Sequence, residues 1–267
     1  MIDLFIIKLI ISFFVGSIWI TLLTIFSEKF GTKLGGAIAG IPATMVVSLF
    51  FIGYTRTIGV AVQSTTLIPL ILGVNALVVV SYLYLSKRLN FAASFFYSLV
   101  LWFFAAFIIV LSGLNNFLLS IAAYIIIILF SYYALEKKLS LKSKEKVIVN
   151  YSVPQIIFRG LVSGGVIVVS VILAKVSGPL IGGVFATFPT LTMALILITY
   201  LNHGNIFLGP LLKNFIISGT INVLIFVIAI RYSYPILGLG LGTLVSLSIS
   251  FISTYITYNL INKKLLS

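Results

Sequence analysis

From position 89 to position 135 the sequence reads LNFAASFFYSLVLWFFAAFIIVLSGLNNFLLSIAAYIIIILFSYYAL, a run of 47 residues with no charged side chain. A bilayer core is crossed by about 20 apolar residues in a helix, so this run is too long for one span. It carries its own break, Ser112-Gly113-Leu114-Asn115-Asn116, a cluster of turn-forming residues. The reading is therefore two membrane-spanning helices joined by a tight turn, and the rest of the chain is read against that pair.

The composition agrees. The 267 residues are 61% hydrophobic and 8% charged, with a mean hydropathy of +1.27. A soluble domain is about a quarter charged, so a water-soluble enzyme is excluded. Upstream, apolar runs at 9–27, 34–55 and 57–86 each hold one helix. Downstream lies the one polar segment, 136–150, with Lys137, Lys138, Lys142, Lys144 and Lys146. Beyond it, runs near 155–175, 179–201, 206–230 and 235–260 bring the expected total to nine helices, the last bending at Gly238, Gly240 and Gly242. With nine spans, 13 of the 17 basic residues fall on one side, leaving Lys8, Arg56, Lys175 and Arg231 on the other. Lys and Arg collect in cytoplasmic loops, so the C-terminus and the 136–153 loop are expected in the cytoplasm and the N-terminus outside, in the plasma membrane. The first apolar stretch is long enough to span and has no small-residue cleavage site after it, so it reads as a retained helix and not a signal peptide. The charge of +13 is topological on this reading; the basic residues sit in short loops, and no nucleic-acid partner is expected.

The chain also repeats itself. Gly31-Thr-Lys-Leu-Gly35-Gly36-Ala-Ile-Ala39-Gly-Ile-Pro42 aligns with Gly178-Pro-Leu-Ile-Gly182-Gly183-Val-Phe-Ala186-Thr-Phe-Pro189 at an offset of 147, with five of twelve positions identical; composition alone gives about one. The same offset relates Asn75 to Asn222. Helices one to four (1–112) form a first copy and helices six to nine (154–267) a second, joined by a fifth helix (113–135) and the basic loop (136–153). An odd number of spans separates equivalent positions, so the two copies are expected to be inverted, an architecture that recurs in transporters.

The segments Gly35-Gly36-Ala-Ile-Ala-Gly-Ile-Pro42-Ala-Thr44 and Gly182-Gly183-Val-Phe-Ala-Thr-Phe-Pro189-Thr-Leu-Thr192 resemble the Gly-rich, Pro-containing second helix of the small GlpM-like integral membrane proteins. That resemblance, about 25 residues in each half, implies a membrane location and a four-helix unit, and it carries no catalytic residue over. The 4+1+4 layout is also similar to that of fused fluoride channels, but their Gly-Gly-x-Gly-Ala-x-x-Arg pattern is absent, so the likeness is one of layout.

The candidate site follows from the repeat. Pro42 and Pro189 each lack a backbone donor and free a carbonyl one turn earlier, near 38 and 185. Gly35, Gly36, Gly182 and Gly183 let another backbone approach, and Thr44, Ser48, Thr187, Thr190 and Thr192 add hydroxyls. Interrupted helices at matching positions in two halves point to a midplane site. The same glycines also form small-x-x-x-small pairs, which pack helices and need no further role. Asn75 and Asn222 are amides in apolar surroundings; they either line a cavity or bond to each other or to a backbone carbonyl. Gln63, Thr65 and Thr66 read as loop or helix-start residues, and His203 as a solvated loop histidine.

Asp3, Glu28, Glu136 and Glu145 all lie outside the middle of any span, and there is no cysteine. Neither a metal site nor a cofactor has ligands here, and acid–base catalysis lacks titratable groups, so the chain is not expected to be an enzyme. Coupling through an intramembrane carboxylate is disfavoured as well. What remains is a transporter or channel for a small anion or neutral solute; a translocase for lipid or lipid-linked glycan, or an accessory of envelope biogenesis; or a scaffold bound to a membrane partner.

Overall fold

The computed structural model describes residues 4–29, 42–138, 152–203 and 208–262, and the helices within them leave no strand. They are α1 (Leu4–Lys29), α2 (Ala43–Thr55), α3 (Ile58–Ser64), α4 (Ile68–Leu85), α5 (Phe91–Leu111), α6 (Phe117–Tyr133), α7 (Val153–Val176), α8 (Pro179–Ala186), α9 (Thr190–His203) and α10 (Leu208–Asn262). Helix α6 runs on into a π-helical turn, Ala134–Lys138.

Seven stretches among the described residues are long and apolar enough to cross a membrane. One of them, Gly219–Thr257, contains Gly238 at φ 72°, where α10 folds back into two limbs, so the count rises to eight. The span expected at 34–55 is represented by α2; the residues before Pro42 lie outside those described. The protein is a polytopic helical membrane protein.

The long uncharged run divides as its sequence requires. α5 ends at Leu111, Gly113 takes φ 67°, and Asn116 caps α6 by accepting the Leu119 N–H at 3.0 Å. Two other spans differ from expectation. The run 57–86 is not one helix: α3 and α4 are separated by a turn at 65–67 in which Thr65 and Thr66 are buried. In the last run the break expected between 230 and 235 falls instead at Gly238. Pro235 is carried inside α10, and the chain turns only where a residue without Cβ permits the backbone.

Burial sorts the helices. α2 is buried at nearly every position from Ala43 to Gly53, and α4 is buried along most of its length. α1, α5, α6 and the second limb of α10 instead expose Phe14, Phe104, Phe107, Leu118, Ile126, Leu129 and Ile252. Large apolar side chains facing outward in such number are the surface a bilayer requires. The helices that follow Pro42 and Pro189 are therefore inner helices.

The duplication is structural. α1 ends at Lys29 and α7 at Val176; α2 starts at Ala43 and α9 at Thr190; α5 starts at Phe91 and the second limb of α10 at the Gly238 kink. Each pair is 147 apart. The equivalent helices α1 and α7 pack antiparallel. A Cβ at Gly160 would stand 3.0 Å from the Ser17 carbonyl, and one at Gly164 would stand 2.9 Å from the Phe13 carbonyl. Advancing four residues along α7 moves back four along α1. Residues 13 and 160 are repeat equivalents, as are 17 and 164, so these two contacts exchange under the repeat and a pseudo-two-fold axis passes between them.

A second pair of contacts between the halves is related by the same offset, with a slip of one residue. Phe91 stacks on Tyr200 with ring centroids 3.8 Å apart. One position along, the repeat maps this contact onto Gly53 and Leu239, which also meet. Helix α6, which has no counterpart, packs against α4, where Gly73 faces Ile127. It also reaches the second half, where the Tyr124 hydroxyl donates to Thr220 Oγ1 at 3.1 Å.

Candidate functional site

The helices that follow the two prolines start alike. Pro42 precedes α2 and its carbonyl accepts from the Val46 N–H at 3.0 Å; Pro189 precedes α9 and its carbonyl accepts from the Met193 N–H at 2.9 Å. On the N-terminal side of Pro189, helix α8 stops at Ala186. The Phe185 carbonyl, expected to be freed, is taken by the Phe188 N–H at 3.0 Å in a tighter turn. The carbonyl left over is that of Thr187, two residues on, whose side chain turns back to the Val184 carbonyl. The matching segment before Pro42, with Gly35 and Gly36, lies outside the described residues.

Asn75 satisfies that carbonyl. Its Nδ2 donates to Thr187 O at 3.0 Å, and the Trp102 indole N–H donates to its Oδ1 at 2.8 Å. The indole only donates and the carbonyl only accepts, so the orientation of the amide is fixed by its neighbours. One side chain on α4 thus ties α5 to the break between α8 and α9, joining the first half to the second. The Trp102 ring lies edge-on to Phe188, centroids 5.0 Å apart, and to Phe185 at 6.0 Å.

Asn222 does other work. Its Oδ1 accepts from Ser253 Oγ at 2.7 Å and from Thr257 Oγ1 at 3.2 Å, which ties the two limbs of α10 together. Asn75 and Asn222 do not bond to each other. Of the two alternatives to a cavity-lining role, the backbone carbonyl is the one realised by Asn75.

Gly182 and Gly183 are at close contacts. A Cβ at Gly182 would overlap Ala174, and one at Gly183 would overlap the Ser64 carbonyl oxygen. Both take the packing role open to small residues. Thr44, Thr187, Thr190 and Thr192 are buried. Among the described residues, the buried hydroxyls of Ser17, Ser48, Ser131, Ser163 and Thr190 have no hydrogen-bond partner; Ser48 lies on α2 and Thr190 on α9. His203 is the last residue of α9.

Two features were missed in the sequence. Trp102 stands in an all-apolar run, yet a buried indole N–H needs an acceptor, and that need was the available signal. Arg231 was read only for topology. Its Nη1 donates to Thr65 Oγ1 at 2.9 Å, to Val62 O at 3.2 Å and to Thr66 Oγ1 at 3.3 Å, and its guanidinium lies 4.4 Å from the centre of the Phe117 ring. It fastens α10 to the turn between α3 and α4. At the same end, Lys8 Nζ donates to the Tyr54 carbonyl at 2.9 Å, and Lys175 Nζ lies 3.6 Å from the centre of the Phe5 ring. Among the described residues no group of three His, Cys, Asp or Glu side chains is placed to hold a metal ion.

At that end a cavity of about 330 Å³ is lined by Gln63, Leu67, Val110, Asn115, Ser177 and residues 178–181. Asn115 and Ser177, in loops far apart in sequence, therefore share one face of the bundle.

Two repeated units in inverted orientation, each with an inner helix that starts at a proline, define a duplicated helical membrane protein. The family described as "Protein of unknown function (DUF3147)" matches residues 9–113 and again residues 156–263, and the chain belongs to it. The two matches start 147 residues apart, so the unit that defines the family is the single repeat. No curated protein and no solved structure matches the chain.

Proposed function

We propose that the chain is a membrane transporter or channel for a small anion or neutral solute, with its path between the two repeats at the Gly–Pro segments that lead into α2 and α9. The observation that carries this is that two of the buried hydroxyls left without a hydrogen-bond partner among the described residues, those of Ser48 and Thr190, lie on the helices after Pro42 and Pro189. Buried polar groups in native proteins are almost always hydrogen-bonded. Broken helices at membrane depth are tolerated where they are buried in protein or line a cavity, and polar groups there tend to mark a pathway. The role is not enzymatic, the bilayer is the partner, and the C-terminus and the 136–153 loop face the cytoplasm of a cell bounded by this membrane. The GlpM-like likeness of the Gly–Pro segments belongs to the same proposal and supports the four-helix unit without naming a solute.

The test is reconstitution in liposomes, with glycerol-driven swelling and chloride efflux measured side by side. One of the two is expected to exceed lipid-only vesicles, and Ser48→Val with Thr190→Val is expected to change its rate. Vesicles that match the lipid-only control for both solutes would sink the transport reading and favour a scaffold.

A further inference from the structure

The cavity and the Asn75 junction lie on the same three elements. Leu67 caps α4 and Asn75 lies eight residues further along it; Val110 is near the end of α5 and Trp102 lies eight residues back; Leu180 begins α8 and Thr187 ends it seven residues on. At 1.5 Å per helical residue, the junction is about 10–12 Å below the cavity on all three. Between the two levels Ile71, Val74, Ala106 and Val184 belong to one buried apolar cluster, against which Leu180 and Phe188 pack.

We infer that this cavity is the solute-binding vestibule of the path, and that Asn75 is the latch that keeps its floor closed by holding Trp102 and the Thr187 carbonyl together. The inference rests on the transport reading for its solute and on geometry alone for its latch. Three helices that line a cavity at one end are joined below it by apolar packing and by one side chain that bonds all three, so parting them there requires that amide to let go. Its bonds are neutral ones to an indole and a backbone carbonyl, which water can replace.

The lining also selects the solute. Gln63, Asn115 and Ser177 offer amide and hydroxyl groups, and among the described residues no ionisable side chain lines the cavity. The junction beneath is uncharged as well. An ion moving down this route leaves the cations at the cavity end, Arg231 and Lys175, for a junction that holds no charge, whereas an uncharged hydrogen-bonding solute exchanges water for amides at small cost. The vestibule volume is at the lower end of the usual range for small-molecule sites, about 300–1,000 Å³. The substrate class is a small uncharged polar molecule, of which glycerol is the probe.

The absence of native cysteine makes the experiment direct. Single cysteines at Ser177 (rim) and Ile71 (within the floor, between cavity and junction) are reacted with a membrane-impermeant thiol reagent in proteoliposomes. Ser177→Cys is expected to react in every background. Ile71→Cys is expected to be protected, and to react about tenfold faster when Asn75→Leu or Trp102→Phe is added, the shift expected when a closed state loses buried hydrogen bonds. Asn222→Leu, which removes an equally apolar-embedded amide from the α10 hairpin, is the control and is expected to leave Ile71→Cys protected. Unchanged protection with Asn75→Leu overturns the latch, and so does an equal rise with Asn222→Leu, which would mean general loosening. Glycerol swelling is expected to rise with Asn75→Leu while chloride efflux does not; the reverse pattern overturns the uncharged-solute assignment. Faster labelling with no solute moving would leave the latch standing and remove the transport reading, and glycerol flux with labelling indifferent to Asn75 would do the opposite.

Discussion

At the scale of single residues, the chemistry that breaks a helix is written in the sequence and the chemistry that mends it is not. Pro42 and Pro189 announce their interruptions, because a residue without an N–H leaves an acceptor unmatched wherever it sits. Which carbonyl is left over, and that Asn75 and Trp102 take care of it, depends on how α4, α5 and α8 approach one another, and 27 and 112 residues separate the partners. The glycines of α7 give the sharpest residue-level prediction. Gly164 faces the Ser17 side chain and the Phe13 carbonyl, whereas nothing lies within 4 Å of a Cβ at Gly165. Gly164→Ala is expected to cost about 1–3 kcal/mol through overpacking, and Gly165→Ala is expected to be neutral or slightly stabilising through helix propensity. Thermal unfolding in one detergent, followed for both variants, checks the pair; equal losses would mean that the α1–α7 contact is not tight.

At the scale of elements, the helix count was nearly legible because charges and turn clusters punctuate apolar sequence. The internal turn at 65–67 was legible in part: Thr65 and Thr66 read as loop or helix-start residues, but the apolar run 57–86 around them still reads as one span, and only the fold brings Arg231 to them. Arg231→Ala is expected to destabilise by about 1–3 kcal/mol, because it removes the donor shared by the two buried hydroxyls of Thr65 and Thr66. Arg231→Lys should recover part of that, as an ammonium donates but lacks the planar fork. Recovery to the full wild-type midpoint would count against a geometric role for the guanidinium. The kink in α10 gives a parallel test. At φ 72° and ψ −177°, Gly238 holds a backbone that residues with a Cβ adopt at a cost of about 1–3 kcal/mol. Gly240, two residues on, has open space around it. Gly238→Ala is expected to lower the unfolding temperature and Gly240→Ala is not.

At the scale of the whole molecule, the repeat was the most legible feature, because an offset of 147 recurs in residues, in helix ends and in packing contacts alike. The inversion could be counted from an odd number of spans, and it is seen in the antiparallel contact of α1 with α7. What sequence could not supply is the cavity, whose walls come from α3, α5, the loop at 112–116 and α8. It does fix one prediction about sidedness. Asn115 and Ser177 line the same cavity, so cysteines at the two positions must label from the same side of intact cells. Labelling from opposite sides would refute the arrangement itself and not only its orientation.

The two related contacts at the ends of the pseudo-two-fold have drifted apart in substance. One is a stacked ring pair, Phe91 on Tyr200; its mate is a glycine against a leucine, Gly53 and Leu239. Were the halves identical, rotation about the pseudo-two-fold would carry the molecule onto itself, and its two ends would be chemically the same. A ring pair adds about 1 kcal/mol beyond the area it buries, and the glycine contact supplies no such term. Duplication made the two ends of this protein available as separate sequences, and divergence at this contact already makes them chemically distinct.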